Sequence, residues 1–290
     1  MKKVLIVGSG SFIGKATEQW LLQKHPGSYE VDTVDAVNGA WKQADFSKYD
    51  VVFQVAGIAH VKKETPDMED LFFSVNAQMS GEIARAAKAA GVKQYIFMST
   101  KGVYPSFVPK IDPTTKTGPV KLYGKSKLAG EGLVLPLASE DFNVAVLRPP
   151  SVYGAHAPGS YLTLLKKVDT LRFFPAYKNR RSMIYIDNLC EFVHLVMERE
   201  LGGILVPQDA EYMSTSDIVR VGARVKKRKI LFDYLSWPLI AILVKVSYKF
   251  RKPFGSTVYV HDFSIPDKDY YVCNFEDAIR KTIEEENKSK

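Results

Sequence analysis

The sequence has little cysteine and no long hydrophobic run, and both features exclude classes of protein. Its two cysteines, Cys190 and Cys273, show no paired spacing and no nearby histidine cluster, so we expect reduced thiols and no metal site. The longest apolar run, residues 238–244, is far shorter than the roughly 20 residues that span a bilayer. The apolar run at the N-terminus stops at Gly8, too early for an export signal. We therefore expect a cytoplasmic protein.

Acidic residues are in the minority, and the net charge is +8. The basic excess is concentrated, since residues 224–229 hold five basic side chains and residues 245–252 hold four more. A solvated face, an anionic substrate or acidic lipid would each account for this charge. No recognised nucleic-acid-binding module accompanies it, so we expect no nucleic-acid partner.

Residues 234–250 mix Trp237 and aliphatic side chains with flanking lysines. A lid or core helix in a substrate-binding lobe is the favoured interpretation. The alternative is an interfacial helix on anionic lipid, which leaves a peripheral membrane contact through residues 226–252 open.

The first half of the chain alternates short β-branched runs with longer amphipathic segments. We predict strands at 3–7, 50–55, 93–98 and 143–148, and a further strand that ends at Val34. We predict helices at 12–24, 67–90 and 122–138. This alternation indicates an α/β fold of the Rossmann type, with a doubly wound parallel sheet.

After about residue 155 the elements become shorter, and proline and aromatic residues become more frequent. We predict helices at 160–170, 188–199, 215–225 and 275–287, and we find no Ser/Gly-rich linker and no repeat. The predicted division is a dinucleotide-binding domain at 1–155 and a smaller C-terminal substrate-binding lobe at 156–290. Its boundary is soft, with segments that return to the first domain.

A glycine turn follows the first predicted strand and precedes a helix. Gly8 permits a sharp turn, Gly10 lets a pyrophosphate approach the backbone, and Gly14 lets helix and strand pack closely. Amides at the helix N-terminus would face the phosphates. The turn therefore predicts a dinucleotide site rather than a merely structural turn. Its candidate residues are Gly8, Gly10, Ser11, Phe12, Ile13 and Gly14.

Asp35 ends the second strand, 21 residues after Gly14. A carboxylate there can accept hydrogen bonds from a ribose diol and would repel a 2′-phosphate. NAD(H) is therefore favoured and NADP(H) stays open, while an exposed loop acid is the alternative interpretation. Asp32 is a poorer candidate because it lies within the strand. Asp45 and Phe46 are candidates to fix the adenine edge.

Thr100, Tyr123 and Lys127 form the candidate catalytic set. Thr100 follows the strand at 93–98, at the edge where open α/β sheets bind ligands. Tyr123 and Lys127 have i, i+4 spacing and share a helix face. A nearby cation lowers the pKa of a tyrosine, so Tyr123 could exchange a proton with a carbonyl or carbinol oxygen. Thr100 could orient that oxygen, and Lys127 could also hold the nicotinamide ribose.

Six further motifs are spread along most of the chain. They are VAGIAH (55–60), VNA (75–77), MSTKGVY (98–104), YGKSK (123–127), LRPPSVYGAHAPG (147–159) and RRSMIYIDN (180–188). With the glycine turn, they make the sequence resemble the extended short-chain dehydrogenases/reductases, in the nucleotide-sugar epimerase/dehydratase group. That family usually has glycine where Ser11 stands.

The resemblance implies further cofactor residues. Val55, Ala56 and Gly57 would line the cofactor cleft. The segment 149–151 would border the nicotinamide and the sugar, with Pro150 on the cofactor side.

On the substrate side, Arg181 matches the family arginine that grips the nucleotide diphosphate, for which a guanidinium fork is well suited. A surface arginine is the alternative. Lys101, Ser151 and His156 are the other substrate candidates. Asp187 is expected to cap the following helix rather than to touch ligand.

The resemblance also bears on the reaction. Dehydratases of the group carry an Asp-Glu pair directly after the catalytic threonine, whereas this chain has Lys101 and Gly102, so dehydration is not expected. Several segments resemble capsule- and O-antigen-type reductases, which reduce the C4 ketone of UDP-4-keto-6-deoxy-N-acetylhexosamines. A UDP-sugar 4-epimerase shares the same catalytic set and stays open. A non-catalytic NAD(P)-binding regulatory protein is the second alternative, although such proteins usually lack the Tyr-Lys pair.

The resemblance implies a homodimer formed through helices 67–90 and 122–138.

Overall fold

The computed structural model describes residues 1–36, 39–59, 61, 64–260 and 269–288. Its strands are β1 (Lys2–Val7), β2 (Tyr29–Val34), β3 (Val51–Gln54), β4 (Gln94–Met98), β5 (Lys110–Ile111), β6 (Asn143–Leu147), β7 (Ser151–Tyr153), β8 (Phe173–Pro175), β9 (Met183–Tyr185), β10 (Gly203–Leu205), β11 (Leu231–Asp233) and β12 (Val258–Tyr259). Its α-helices are α1 (Phe12–Lys24), α2 (Glu69–Phe73), α3 (Met79–Ala89), α4 (Leu122–Val134), α5 (Ser160–Lys167), α6 (Ile186–Glu198), α7 (Thr215–Val225), α8 (Trp237–Val246), α9 (Tyr248–Phe254) and α10 (Phe275–Lys288).

A six-stranded sheet in the order β10-β6-β4-β3-β1-β2 forms the centre of the fold, and all of its pairings are parallel. Strands β3 and β4 are buried at every residue, which explains why their sequences are almost continuously apolar. Helices α3 and α4 cover one face, and α1 and α6 cover the other. The prediction of a Rossmann-type doubly wound α/β fold is confirmed.

The register brings the ends of four strands to one edge. Val7 pairs with Gln54, Gln54 with Phe97, and Met98 with Leu147. The segments that follow β1, β3, β4 and β6 therefore emerge side by side. Parallel sheets bind ligands at this carboxyl edge, and the candidate site lies there.

The predicted helix at 67–90 is not continuous. A 3₁₀ turn at Pro66–Met68 leads into α2, and a π-helical turn at Ser74–Gln78 separates α2 from α3. The predicted helix at 122–138 stops as an α-helix at Val134 and continues as a 3₁₀ turn at Leu135–Leu137. Pro136 lies in that turn, and a proline cannot donate the backbone hydrogen bond that an α-helix requires.

Segments cross the predicted boundary at residue 155 in both directions. Helix α6 packs on the central sheet, and β10 adds its edge strand beside β6. Conversely, β5 from the first half pairs with β12 near the C-terminus. The remaining C-terminal strands form small two-stranded sheets. Helices α5, α7 and α10 pack around a separate apolar cluster, to which side chains of α1 and α6 also contribute.

Both cysteines are free and buried in this arrangement, and burial raises the pKa of the Cys190 thiol to about 12. Across the described part of the chain, no helix has both the length and the apolar character needed to cross a membrane. The segment predicted as one lid or interfacial helix forms two helices, α8 and α9.

Candidate functional site

The glycine turn between β1 and α1 is tight at its ends and open in the middle. A Cβ atom on Gly8, whose φ is +124°, would lie 2.8 Å from the backbone nitrogen of Ala56. A Cβ atom on Gly14 would lie 2.9 Å from the carbonyl oxygen of Gly8. At Gly10, no atom of the described residues comes within 4 Å of such a Cβ. The turn therefore has an open backbone surface of the kind that a pyrophosphate needs.

Ser11, which departs from the family pattern, is the N-cap of α1. Its Oγ accepts a hydrogen bond of 3.0 Å from the backbone nitrogen of Gly14. A cap of this kind stabilises a helix by about 1 kcal/mol. Phe12 and Ile13 form the first turn, where backbone amides have no intrahelical partner, and their side chains pack towards the core. Serine at this position is thus compatible with an anion at the helix N-terminus.

The two candidate acids of the second strand differ in their surroundings. Asp35 directly follows β2 and is exposed. Asp32 accepts a hydrogen bond of 2.8 Å from the hydroxyl of Tyr49. Burial, together with this bond, raises the pKa of Tyr49 to about 12. Because Asp35 follows the carboxyl end of β2, at the edge where parallel sheets bind ligands, it is the better candidate for the ribose.

Asp45 and Phe46 precede β3, where Asp45 caps a 3₁₀ turn. Its carboxylate accepts hydrogen bonds from the backbone nitrogen and hydroxyl of Ser47, and these bonds hold its pKa below the usual value. The side chain of Phe46 is buried in the core between the sheet and α3. Only the backbone of Phe46 could therefore meet an adenine.

Thr100 and Tyr123 lie close together where α4 begins. Thr100 lies two residues beyond β4, and its Oγ1 accepts a hydrogen bond of 3.0 Å from the backbone nitrogen of Gly102. Gly124, next to Tyr123, packs against Gly102, since a Cβ atom on Gly124 would overlap the carbonyl oxygen of Gly102. Burial raises the pKa of Tyr123 to about 12, and the neighbouring Thr100 hydroxyl acts in the opposite direction.

Lys127 lies beneath the loop that follows β3. Its Nζ is 3.5 Å from the carbonyl oxygen of Ala56 and 4.7 Å from the centroid of the Phe97 ring, and a Cβ atom on Gly57 would lie 2.9 Å from it. Burial lowers the pKa of Lys127 to about 7, against the charge of Glu131. At Tyr123 burial has the largest effect and raises the pKa, which is the direction opposite to that expected from a neighbouring cation.

Sequence reasoning missed a buried ion pair behind Lys127. Glu131, one helical turn beyond Lys127, lies 2.5 Å from Nη2 of Arg148, and Nε of Arg148 donates to the same carboxylate at 3.0 Å. Ser99 also donates to Glu131, and Arg148 donates to the hydroxyl of Tyr104 at 2.8 Å. The i, i+4 spacing from Lys127 was the available signal for Glu131.

Asn76, in the π-helical turn, orders the loop after β3. Its side chain accepts a hydrogen bond of 2.8 Å from the backbone nitrogen of Ile58 and donates to the carbonyl oxygen of Ile58 at 3.0 Å. It also donates to the hydroxyl of Ser126 on α4 at 3.0 Å. The VNA motif contained this residue, but the sequence did not indicate its role. π-Helical turns of this kind are frequent at functional sites.

Two cations lie side by side at the substrate end of the site. Burial, and to a smaller extent the charge of Arg181, lower the pKa of Lys101 to about 8. Arg181 donates from Nε to the carbonyl oxygen of Gly255 at 3.1 Å and from Nη2 to that of Lys252. Neighbouring, partly buried cations of this kind favour an anionic ligand such as a diphosphate.

The segment 149–151 also lies at the substrate end of the site. The backbone nitrogen of Lys101 donates to the carbonyl oxygen of Pro149 at 2.8 Å. Pro150 is buried, and Ser151 begins β7 with its side chain exposed.

Two predictions at the C-terminal side need correction. The backbone nitrogen of His156 donates to Glu286 of α10 at 2.8 Å, and its Nδ1 lies 3.2 Å from the same carboxylate, so we do not retain it in the substrate site. The N-cap of α6 is Tyr185, not Asp187. Asp187 lies inside the first turn, where it pairs with Lys281 at 3.0 Å.

A histidine cluster that the sequence did not indicate lies where α1 and α6 meet. Nε2 of His25 is 2.9 Å from Glu191, and the rings of His25 and His194 stack with centroids 3.6 Å apart. Among the described residues this is the group close enough to hold a metal ion. Its members already have hydrogen-bond partners, since Trp20 donates to Glu191 and the Tyr29 hydroxyl meets His194.

The model of the NAD dependent epimerase/dehydratase family matches residues 4–206. Over 176 residues the chain is 27% identical to N-acetyl-α-D-glucosaminyl-diphospho-ditrans,octacis-undecaprenol 4-epimerase of Escherichia coli O157:H7, a match that covers 58% of this chain and 53% of that protein. Over 267 residues it is 25% identical to UDP-glucose 4-epimerase of Vibrio cholerae, covering 82% and 78%. The chain thus spans about half the length of the first relative.

Solved structures share the fold along the whole chain. A dTDP-4-dehydrorhamnose reductase from Clostridium acetobutylicum has a TM-score of 0.75 at 18% identity, covering 97% of this chain and 98% of that one. A UDP-glucuronic acid 4-epimerase from Bacillus cereus, in complex with NAD, has a TM-score of 0.75 at 18% identity, covering 99% of each chain. Likeness at this level of identity establishes the fold alone.

Proposed function

The chain belongs to the NAD-dependent epimerase/dehydratase family, and on that premise we propose that it acts at C4 of a sugar diphosphate. Our specific proposal is reduction of the C4 ketone of a UDP-4-keto-6-deoxy-N-acetylhexosamine. The observation that carries it is the packing of the start of α4 on the turn after Thr100, which places Tyr123 beside Thr100 and Lys127 one helical turn away.

The residues of the glycine turn fit a nicotinamide dinucleotide. The open backbone at Gly10 and the N-terminus of α1 would hold the pyrophosphate, and the exposed Asp35 would hold the adenosine ribose. Asp35 favours NADH over NADPH by charge. When bound, the cofactor supplies the hydride.

The chain's own residues supply the proton and the orientation. Tyr123 donates its hydroxyl proton to the C4 oxygen, and Thr100 holds the same oxygen by a hydrogen bond. Lys127 holds the nicotinamide ribose from beneath the loop after β3. Lys101 and Arg181 hold the diphosphate, because two adjacent cations compensate its charge.

Dehydration is not part of the proposal. Removal of water from the sugar needs an acid and a base next to the reacting carbons. The residues directly after Thr100 are Lys101 and Gly102, and neither is a carboxylic acid.

A 4-epimerase is the second candidate, because relatives from Escherichia coli and Vibrio cholerae are named 4-epimerases. Tyr123 would then take a proton from the C4 hydroxyl and return it. The name of the first relative describes a sugar on a polyprenol diphosphate. A nucleotide sugar and a lipid-linked sugar would both present a diphosphate to Lys101 and Arg181.

The absorbance of reduced nicotinamide tests the proposal. The protein is mixed with NADH or NADPH and a UDP-4-keto-6-deoxy-N-acetylhexosamine generated by a dehydratase. Stoichiometric oxidation supports the reductase. No oxidation, with interconversion of UDP-N-acetylglucosamine and its C4 epimer, supports the epimerase instead. If protein that binds the cofactor shows neither activity, both candidate reactions on nucleotide sugars are rejected.

Tyr123→Phe is the matched variant for either reaction. Loss of the proton donor should lower kcat about 10²–10⁴-fold while the cofactor Kd, measured by nicotinamide fluorescence, stays unchanged. Tyr234→Phe, which alters an exposed tyrosine, is the control. Full activity in Tyr123→Phe would contradict the role of Tyr123.

A further inference from the structure

Helices α8 and α9, with residues 226–236 before them, form an exposed surface that we call the α8–α9 surface. Leu235 is 92% exposed and Val246 is 75% exposed. The other large apolar side chains exposed on it are Leu231, Tyr234, Trp237, Leu239, Ile242, Tyr248 and Phe250. Apolar side chains concentrated in this way on a water-facing surface mark an interaction site.

The exposed apolar residues follow helical spacing. Leu239, Ile242 and Val246 recur at intervals of three and four residues, so they lie along one side of α8. Ile240 faces the opposite way and is buried. Helix α8 thus has one apolar side that packs on the protein and a second that faces outward, whereas the outward side of a surface helix is normally polar.

The charge of this surface is predominantly positive. Residues 226–252 contain eight basic side chains and a single acid, Asp233. The carboxylate of Asp233 is engaged locally, since it accepts hydrogen bonds from the backbone nitrogens of Leu235 and Ser236. The exposed basic residues are Lys227, Arg228, Lys229, Lys245, Lys249 and Lys252.

We propose that the α8–α9 surface docks on an anionic lipid bilayer. The aliphatic side chains of α8 enter the boundary between headgroups and acyl chains, while the surrounding lysines and arginines contact acidic headgroups. Interfacial helices combine these two interactions, and each basic residue near an anionic membrane adds to the attraction.

The docking surface adjoins the substrate end of the site. Arg181 donates to the carbonyl oxygens of Lys252 and Gly255, at the end of α9. The ring of Phe107, six residues after Lys101, lies 5.6 Å from the Tyr248 ring and 5.1 Å from the Arg251 guanidinium. Docking would therefore hold Lys101 and Arg181 near the membrane, where a sugar diphosphate carried by a lipid would lie. This consequence rests on the proposed function, whereas docking itself does not.

Vesicle co-sedimentation of the full chain tests the docking. The wild-type protein should sediment with vesicles of phosphatidylcholine and phosphatidylglycerol, and much less with phosphatidylcholine alone. Leu239→Glu/Ile242→Glu should weaken this binding at least about ten-fold, because two apolar side chains leave the interface and two negative charges enter it. Leu22→Glu/Ile204→Glu, at comparably exposed apolar residues elsewhere, is the matched control and should bind like the wild type.

The electrostatic contribution is tested separately. Lys245→Glu/Lys249→Glu should weaken binding to the anionic vesicles about ten-fold or more, and added salt should weaken wild-type binding. Lys93→Glu/Lys116→Glu changes the net charge equally at exposed sites outside the surface and should have a much smaller effect. Brominated lipid should quench the fluorescence of Trp237, and this quenching should disappear in Trp237→Phe.

Three results would overturn the proposal. One is no sedimentation with the anionic vesicles at low salt. Another is equal binding by Leu239→Glu/Ile242→Glu, provided that circular dichroism shows the variant folded. The third is that the wild type does not bind vesicles and that the variant has a lower oligomeric state than the wild type. In that case the α8–α9 surface would contact a second copy of the chain. None of these readouts uses turnover, so failure of the docking is distinguishable from failure of the proposed reaction.

Discussion

At the scale of single residues, Lys101 makes the charge of the candidate substrate site depend on pH. Burial and the neighbouring Arg181 lower its pKa from the ordinary lysine value to about 8. Lys101 is therefore charged below that pH and increasingly neutral above it. If it holds the diphosphate, affinity for UDP-N-acetylglucosamine should be greatest below about pH 8 and should fall by up to about ten-fold per pH unit above it. Titration calorimetry on both sides of that pKa measures this.

The control for this prediction is Lys101→Arg. Arginine stays charged throughout the range, so the variant should lose the alkaline decrease in affinity. Lys101→Met should bind weakly at every pH. A wild-type affinity that does not change with pH, or an equal decrease in Lys101→Arg, would contradict the assignment of Lys101 to the diphosphate.

Sequence spacing predicted which candidate catalytic residues lie close together, but not their pKa values. The order of motifs placed Thr100 at a strand end and Tyr123 on the next helix, and the structure places the two residues next to each other. The pKa of Tyr123 depends instead on how completely the side chain is buried, which depends on packing from distant segments. His156 shows the same limit, since its partner Glu286 lies 130 residues away in the chain.

At the scale of elements, the ion pair of Glu131 and Arg148 links α4 to the end of β6. Both side chains are buried. Arg148→Met would leave the Glu131 carboxylate buried without its cation, so we expect the free energy of unfolding to fall by about 3–5 kcal/mol. Urea denaturation followed by circular dichroism measures the change.

Arg224→Met provides the comparison for that measurement. Arg224 pairs with Glu276 at 2.8 Å, but both side chains are largely exposed. Loss of an exposed pair costs about 0–1 kcal/mol. Similar small losses in both variants would show that the buried pair does not connect α4 and β6 energetically.

The elements that sequence patterns predicted well are those with a strong local signal. Helix α1 has its expected bounds because a glycine turn precedes it, and the central strands are recognisable because both of their faces are buried. The break between α2 and α3 was missed because the π-helical turn is stabilised by Asn76, whose partners belong to other elements. Strand β10 has three residues, too few for a periodic pattern, and it exists because β6 offers an unpaired edge.

At the scale of the whole molecule, the sequence predicted the fold class, but not how the later segments contribute to the central sheet. The change of pattern after residue 155 suggested a second lobe with segments that return to the first domain, but it did not indicate that α6 and β10 lie on the central sheet. Contacts of this kind join residues far apart in the chain, so no local pattern records them. The α8–α9 surface is a further example, because the sequence shows its composition but not which side faces water.

The homodimer implied by the resemblance belongs to this scale and can be tested on α2 and α4. Leu71 and Leu133 are exposed apolar residues of these helices, and Leu133 packs close to Gly81 of α3. In a two-fold dimer a single substitution acts on both copies of the interface. If the predicted homodimer forms through these helices, Leu133→Glu should weaken it at least about ten-fold, because an interfacial leucine is replaced by a charge on both copies. Analytical ultracentrifugation measures this, with Leu22→Glu on α1 as the control. If the wild-type protein is a monomer, or if Leu133→Glu dimerises with unchanged affinity, these helices do not form a dimer interface.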